Sequence, residues 1–238
     1  MKLSFLIYSY FPYGGQQRDF LRIANECIQR GHEVDVYAIR WQGDIPEKLN
    51  LIKVPVKGRT RVQLYKRYTA WVENALKDTA NSAVVGFNKM PLLDIYFAAD
   101  PCFVEKAHTQ RRFYYKFSSR YRHFRSYEDA VFGQNSSTQA LILSLQQRES
   151  FEEHYPGCGN RLHELPPGIS LDRKVDQRDQ AEREKFRTEF RVGDDELLLL
   201  QVGSGFKVKG VDRSLQALAS LPEQLRSRTK FMLVGQDK

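Results

Sequence analysis

Residues Lys2 to Ile39 run through strand, glycine-rich break, helix and strand, and that order leaves few folds open. Lys2 to Tyr8 is apolar enough for a buried strand, and Phe11-Pro12-Tyr13-Gly14-Gly15 interrupts it. From Gln16 to Arg30 the residues Phe20, Leu21, Ile23, Ala24, Cys27 and Ile28 recur at helical spacing, with Gly31 as a C-terminal stop. Glu33 to Ile39 then reads as a second strand. Such a unit is βαβ, and its two strands lie parallel because the helix carries the chain back to the starting end.

The alternation continues. The pattern predicts strands at 49–56, 83–87, 94–99, 140–144 and 161–165, with helices over 62–77 and 146–155. Between them, Phe103 to Phe132 is basic and aromatic throughout. Repetition of this kind predicts an α/β fold with a doubly wound parallel sheet. Pro166-Pro167-Gly168 closes a first domain, 1–168. A charge-rich stretch from Asp172 to Glu189 reads as a linker and an exposed helix. A second unit, 169–238, follows: strand Glu196 to Val202, a Gly/Lys turn, helix Val211 to Leu221 and strand Lys230 to Val234. The run Leu197 to Leu200 is expected to be buried. One βαβ unit cannot cover both faces of its sheet, so the second Rossmann-like domain is expected to be incomplete within these 238 residues.

Composition narrows the function. Lys and Arg total 37 against 29 Asp and Glu, a formal charge of +8, which favours anionic partners. No apolar run approaches the ~20 residues that span a bilayer. Three cysteines at 27, 102 and 158 fit neither a zinc motif nor a disulfide framework, and point to a reducing compartment. The N-terminus has a short apolar core and no A-x-A site, so it reads as a strand rather than a signal peptide.

Two glycine turns end strands and precede helices, where backbone N–H groups suit an anion. The first is Gly14-Gly15; the second is Gly203-Ser204-Gly205-Phe206-Lys207-Val208-Lys209-Gly210, whose lysines would neutralise a diphosphate. Neither matches the dinucleotide fingerprint or the P-loop order. The first also reads as a tight turn with no ligand, and the second as a solvated loop with charged tips. Asp100 follows a strand, where ligands of such sheets bind, but Asp before Pro101 is also a common helix cap. Asp19 carries the same ambiguity, and Arg173 reads either as a cleft residue or as a linker charge. Lys106, Arg111, Arg112, Lys116, Arg120 and Arg122 are interleaved with aromatics including Tyr114 and Tyr115. That mixture suits an anionic membrane surface, at about 1 kcal/mol per basic residue. It also suits single-stranded RNA, or a basic helix pair packed on its own domain. The histidines show no metal-ligand spacing, and no Ser-His-Asp set is visible.

The segments YFPYGGQQRDFLRIA, VVGFNKMPLLDIYFAAD, SRYRHF, LPPGI with DRK, and LQVGSGFKVKGVDRSLQALASLP occur in that order. Together they resemble the lipopolysaccharide core glucosyltransferase I family, retaining enzymes of GT-B fold. The resemblance implies transfer of a hexose, most often glucose, from a UDP-sugar to a heptose of the lipopolysaccharide inner core. It implies no metal cofactor, no nucleic acid partner, and a cytoplasmic place on the inner face of the inner membrane. By the same resemblance Gly14 and Gly15 lie against donor phosphates or the transferred sugar, and Asp19 lines the cleft beside them. Arg173 and Lys209 hold the diphosphate, Asp100 sits where sugar and acceptor meet, and the segment 103–132 contacts the membrane. Two departures stand out: Ser204 replaces a frequent Arg, and Val208 replaces a basic residue. The family's paired glutamates fall beyond Lys238, so the 238-residue chain alone is expected to be weak or inactive. The competing expectation is a non-catalytic module that binds membrane or lipopolysaccharide precursors.

Overall fold

A computed structural model of the chain describes residues 1–77, 82–168 and 179–237. They fall into two compact units, Met1–Gly168 and Ile169–Lys238.

The first unit runs β1 (Lys2–Tyr10), α1 (Gly15–Gln29), β2 (Glu33–Trp41), β3 (Leu49–Lys53), α2 (Arg61–Leu76), β4 (Ser82–Gly86) and β5 (Ile95–Ala98). It continues with α3 (Phe103–Gln110), a 3₁₀ turn (Phe113–Phe117), α4 (Ser119–Phe132), β6 (Gln139–Ile142), α5 (Leu145–His154) and β7 (Leu162–Glu164). The strands form one parallel sheet in the order β3-β2-β1-β4-β5-β6-β7. The sheet grows one way from β1 through β2 and the other way from β4, so the switch point lies between β1 and β4.

Strand alternation divides the core into two layers. Phe5 and Ile7 of β1 pack with Phe20 and Ala24 of α1, Val36, Phe87 and Phe97. The intervening Leu6 and Tyr8 face Tyr68 and Val72 of α2, Val131 and Phe132 of α4, and Phe151 of α5. Both faces are covered, which is why the central strands read as continuous apolar runs rather than alternating ones. Helix starts follow local chemistry. The Thr60 side chain accepts from the Gln63 N–H at 3.2 Å to open α2, and the Ser118 side chain accepts from the Tyr121 N–H at 3.1 Å to open α4.

The second unit contains α6 (Asp179–Glu189), β8 (Leu197–Val202), α7 (Val211–Ala219), α8 (Glu223–Arg226) and β9 (Thr229–Val234). The strands β8 and β9 pair in parallel. The expected burial of Leu197 to Leu200 does not hold: Leu197, Leu199 and Leu200 are 52%, 46% and 53% exposed. A two-stranded sheet offers each strand only one neighbour, and among the described residues no layer covers these side chains as the helices cover the first unit's sheet. The short helix α8 was not signalled, since its few residues carry no usable periodicity.

Candidate functional site

Open parallel sheets place ligands beyond the carboxyl ends of the strands at the switch point, which here means the loops after β1 and β4. After β1, Gly14 caps α1 with extended backbone, and its carbonyl accepts from the Arg18 N–H at 3.0 Å. A Cβ on Gly14 would sit 1.8 Å from Gln17 Oε1 and 2.9 Å from Phe11 Cε2, so a side chain there would displace both. A Cβ on Gly15 would meet nothing within 4 Å. Two glutamines fix the start of α1 against the sheet. Gln17 donates to the Ser9 carbonyl at 3.3 Å, and Gln16 donates to the Phe87 carbonyl just past β4. Asn88 then accepts from the Tyr8 N–H at 2.9 Å. The glycine turn and the β4 loop are thus one hydrogen-bonded structure. Asp19 lies on α1, 3.8 Å from Arg22, whose guanidinium donates to the Gly168 carbonyl at 2.7 Å.

Beside the β4 loop is a cavity of about 340 Å³ lined by residues from several elements. Tyr8 and Tyr65 stack on its wall with centroids 3.8 Å apart and planes within 3° of parallel. Burial pushes the Tyr8 phenol well above its ordinary range, so it stays protonated. Asn88, Lys89 and Asp100 line the cavity from the strand ends, and Phe103, Lys106, Arg111 and Tyr115 from α3 and the 3₁₀ turn. Arg61, at the start of α2, and Arg120 with Phe124 of α4 complete it.

Asp100 does not cap a helix, contrary to one of its two readings. The N-cap of α3 is Cys102, and the helix's free amides are satisfied from elsewhere in the chain. Glu128 of α4, fully buried, accepts from the N–H groups of Phe103 at 2.6 Å and Val104 at 2.9 Å. It also accepts from Lys89 Nζ at 2.5 Å and from the Tyr155 hydroxyl at 2.9 Å, with Cys102 Sγ at 3.7 Å. Burial, and then this carboxylate, push the Cys102 thiol up to about 11 and the Tyr155 phenol further up. A buried carboxylate is tolerable only with such a full set of donors. Asp100 is thereby left exposed at the mouth of the cavity. Sequence reading missed Glu128 and Lys89. The available signal was an acid on the stripe Tyr121, Tyr127, Val131 of α4, where an apolar residue belongs.

The basic aromatic stretch separates into parts with different surroundings. Tyr121, His123, Tyr127, Val131 and Phe132 of α4 are core residues. Lys106, Arg111, Tyr115 and Arg120 line the cavity. On the 3₁₀ turn, Phe113, Tyr114 and Phe117 are 78%, 56% and 76% exposed, beside exposed Arg112 and Lys116. Arg112 sits over the Tyr114 ring at 5.5 Å. Arg122 is exposed on α4. Among the described residues no helix is long and apolar enough to cross a membrane, and no group of three or more His, Cys, Asp or Glu could hold a metal ion.

In the second unit the turn after β8 is shaped by Gly205 and Gly210, both in left-handed backbone (φ +76° and +69°). Gly210 caps α7, and the Gly205 carbonyl accepts from the N–H groups of Val208 and Lys209. Lys209 is exposed, and its carbonyl accepts from Gln201 at 2.9 Å. Arg173 lies outside the described residues.

The profile of Glycosyltransferase Family 4 matches residues 13–173. Over its 238 residues the chain is 49% identical to the lipopolysaccharide glucosyltransferase WaaG of Escherichia coli K12 and covers 64% of it. The crystal structure of WaaG, a glycosyltransferase involved in lipopolysaccharide biosynthesis, matches with a TM-score of 0.89 at 49% identity, over 99% of this chain and 64% of that one. The structure of HepE from Anabaena in complex with UDP-glucose matches with a TM-score of 0.66 at 16% identity, over 100% of this chain and 61% of that one. The fold is therefore that of GT-B glycosyltransferases. The chain spans a little under two thirds of these relatives' length.

Proposed function

Because the chain belongs to glycosyltransferase family 4, we propose that it serves the transfer of glucose from UDP-glucose to a heptose of the lipopolysaccharide inner core, with retention of configuration. The observation that carries this reading is the 49% identity to WaaG, sustained over the whole chain. The hydrogen-bonded turns at the sheet's switch point supply the matching physical site. In the first unit, Gly14 and Gly15 present helix N–H groups to the transferred sugar or the donor phosphates, with Asp19 on the same helix. In the second, Lys209 and the turn amides bind the diphosphate and stabilise the charge it gains as the glycosidic bond breaks. Arg173 is assigned to the same task. With cations and helix N-termini in that role, the reaction needs no metal. The departing phosphate assists attack by the acceptor hydroxyl on the face it leaves, which retains configuration. Asp100, at the cavity mouth, contacts the reacting sugar or the acceptor.

The exposed ring cluster Phe113, Tyr114 and Phe117, among Arg111, Arg112 and Lys116, supports peripheral binding to the anionic inner face of the inner membrane, where the glycolipid acceptor is held. The test is transfer of radiolabelled glucose from UDP-glucose to lipid-linked core oligosaccharide by the purified protein that carries this sequence. Labelled glycolipid is the expected outcome. Absence of transfer from any UDP-hexose overturns the proposal.

A further inference from the structure

The charges around the first-unit cavity are unusual for their positions. Arg61 is the first residue of α2 and Arg120 the second of α4. A helix N-terminus carries partial positive charge and favours an acid in its first turn. Neither helix has one there. Both instead put a guanidinium at the wrong end of the dipole, and both guanidinium groups line the same cavity. Together with Lys66 they also line an adjoining hollow. Lys106 from α3 and Arg111 after it bring two further cations to the cavity. Among the described residues, none of these four cavity cations forms an ion pair. The cavity's fifth cation, Lys89, is already neutralised by Glu128. The remaining carboxylate on the lining is Asp100. Cations from three helices and a loop thus converge on one open cavity, and two of them, Arg61 and Arg120, do so against local helix preference. Local rules broken together in this way mark a function.

We infer that this cavity is a subsite for an anionic saccharide, a sugar bearing a phosphate or carboxylate group, gripped by Arg61, Lys106, Arg111 and Arg120. Arginine forks match either oxyanion bidentately. The stacked Tyr8–Tyr65 pair and Phe124 give the sugar ring apolar faces, and Asn88 and Asp100 offer partners for its hydroxyls. A volume of about 340 Å³ lies at the small end of ligand pockets, which suits one or two sugar residues. The inference rests on the glycosyltransferase reading for the ligand's role: the acceptor would be recognised through its charge. The binding itself needs neither UDP nor transfer.

Calorimetric titration of the protein with hexose 6-phosphate, hexuronate, neutral hexose, inorganic phosphate and glycerol phosphate tests it directly. At least one charged sugar is expected to bind tenfold or more tighter than the neutral hexose and than either sugar-free phosphate. The exposed Arg61→Gln/Arg120→Gln double variant is expected to lose tenfold or more of that affinity while its Tm holds or rises, since two cations leave helix N-termini. Equal affinity for neutral and charged sugars overturns the inference. Equal affinity for inorganic phosphate or glycerol phosphate overturns it too, and marks a bare phosphate or lipid-headgroup site. Unchanged sugar affinity in the double variant also overturns it. Failure of the transfer assay with charged-sugar binding intact would sink the proposed reaction and leave this subsite standing.

Discussion

Glu128 joins segments that are far apart in the chain. Its carboxylate, at 0% exposure, caps α3, holds Lys89 and takes a bond from Tyr155. Removing it leaves the largely buried Lys89 ammonium with only the Pro101 carbonyl as partner and takes the acceptor from the first amides of α3. Glu128→Ala is therefore expected to cost about 3–5 kcal/mol, read from denaturant unfolding. A loss below about 1 kcal/mol would contradict the buried ion pair. His123, on the same helix, is buried with both ring nitrogens unpartnered among the described residues. Burial first, and Lys66 second, lower its pKa, so the folded protein holds it neutral. In the unfolded chain the ring gains a proton near pH 6.5. Below that pH the unfolded state binds more protons than the folded one, so stability falls as pH falls. His123→Phe is expected to flatten the decline of Tm between about pH 7.5 and 5. An unchanged Tm–pH curve would count against it.

Two short elements carry separate tasks. At the start of α1, Gly14 is favoured by space rather than by backbone angle, because a Cβ there forces the Gln17 and Phe11 side chains to shift. In Gly14→Val the Gln17 side chain must swing away from Ser9, at about 1 kcal/mol of stability for the lost bond. Because the proposed sugar and phosphate contacts use this turn, kcat/KM for UDP-glucose is expected to fall about tenfold or more. Full activity would remove the turn from the site. The 3₁₀ turn presents Phe113 and Phe117 to solvent without core contacts. Phe113→Ser/Phe117→Ser should leave the unfolding free energy within about 1 kcal/mol of the parent while weakening sedimentation with anionic vesicles. Undiminished vesicle binding would move the membrane contact elsewhere.

The whole chain carries +8, with its exposed cations gathered partly around this turn and the cavity. Association with anionic vesicles is expected to weaken steadily from about 50 to 500 mM salt, as the Debye length shrinks to a few ångströms. Salt-independent binding would point to apolar insertion alone. The alternation of strand and helix, the two glycine turns and the basic aromatic stretch were legible from Lys2 to Val234, because each is written in neighbouring residues as periodicity or turn chemistry. Asp100 shows where that stops. Its sequence context suits a helix cap, yet Glu128 takes the capping role and leaves Asp100 exposed at the cavity mouth. Likewise the Leu197–Leu200 run looks like core by composition, whereas burial depends on what covers the sheet. The sequence by itself determined the longer strands and helices, the parallel sheet and the chemistry available at its loops. Only the tertiary structure decided which charges share a space: Arg61, Lys106, Arg111 and Arg120 around one cavity, Glu128 under Lys89. Sheet order and helix packing set those distances, and neither is encoded by the spacing of residues along the chain.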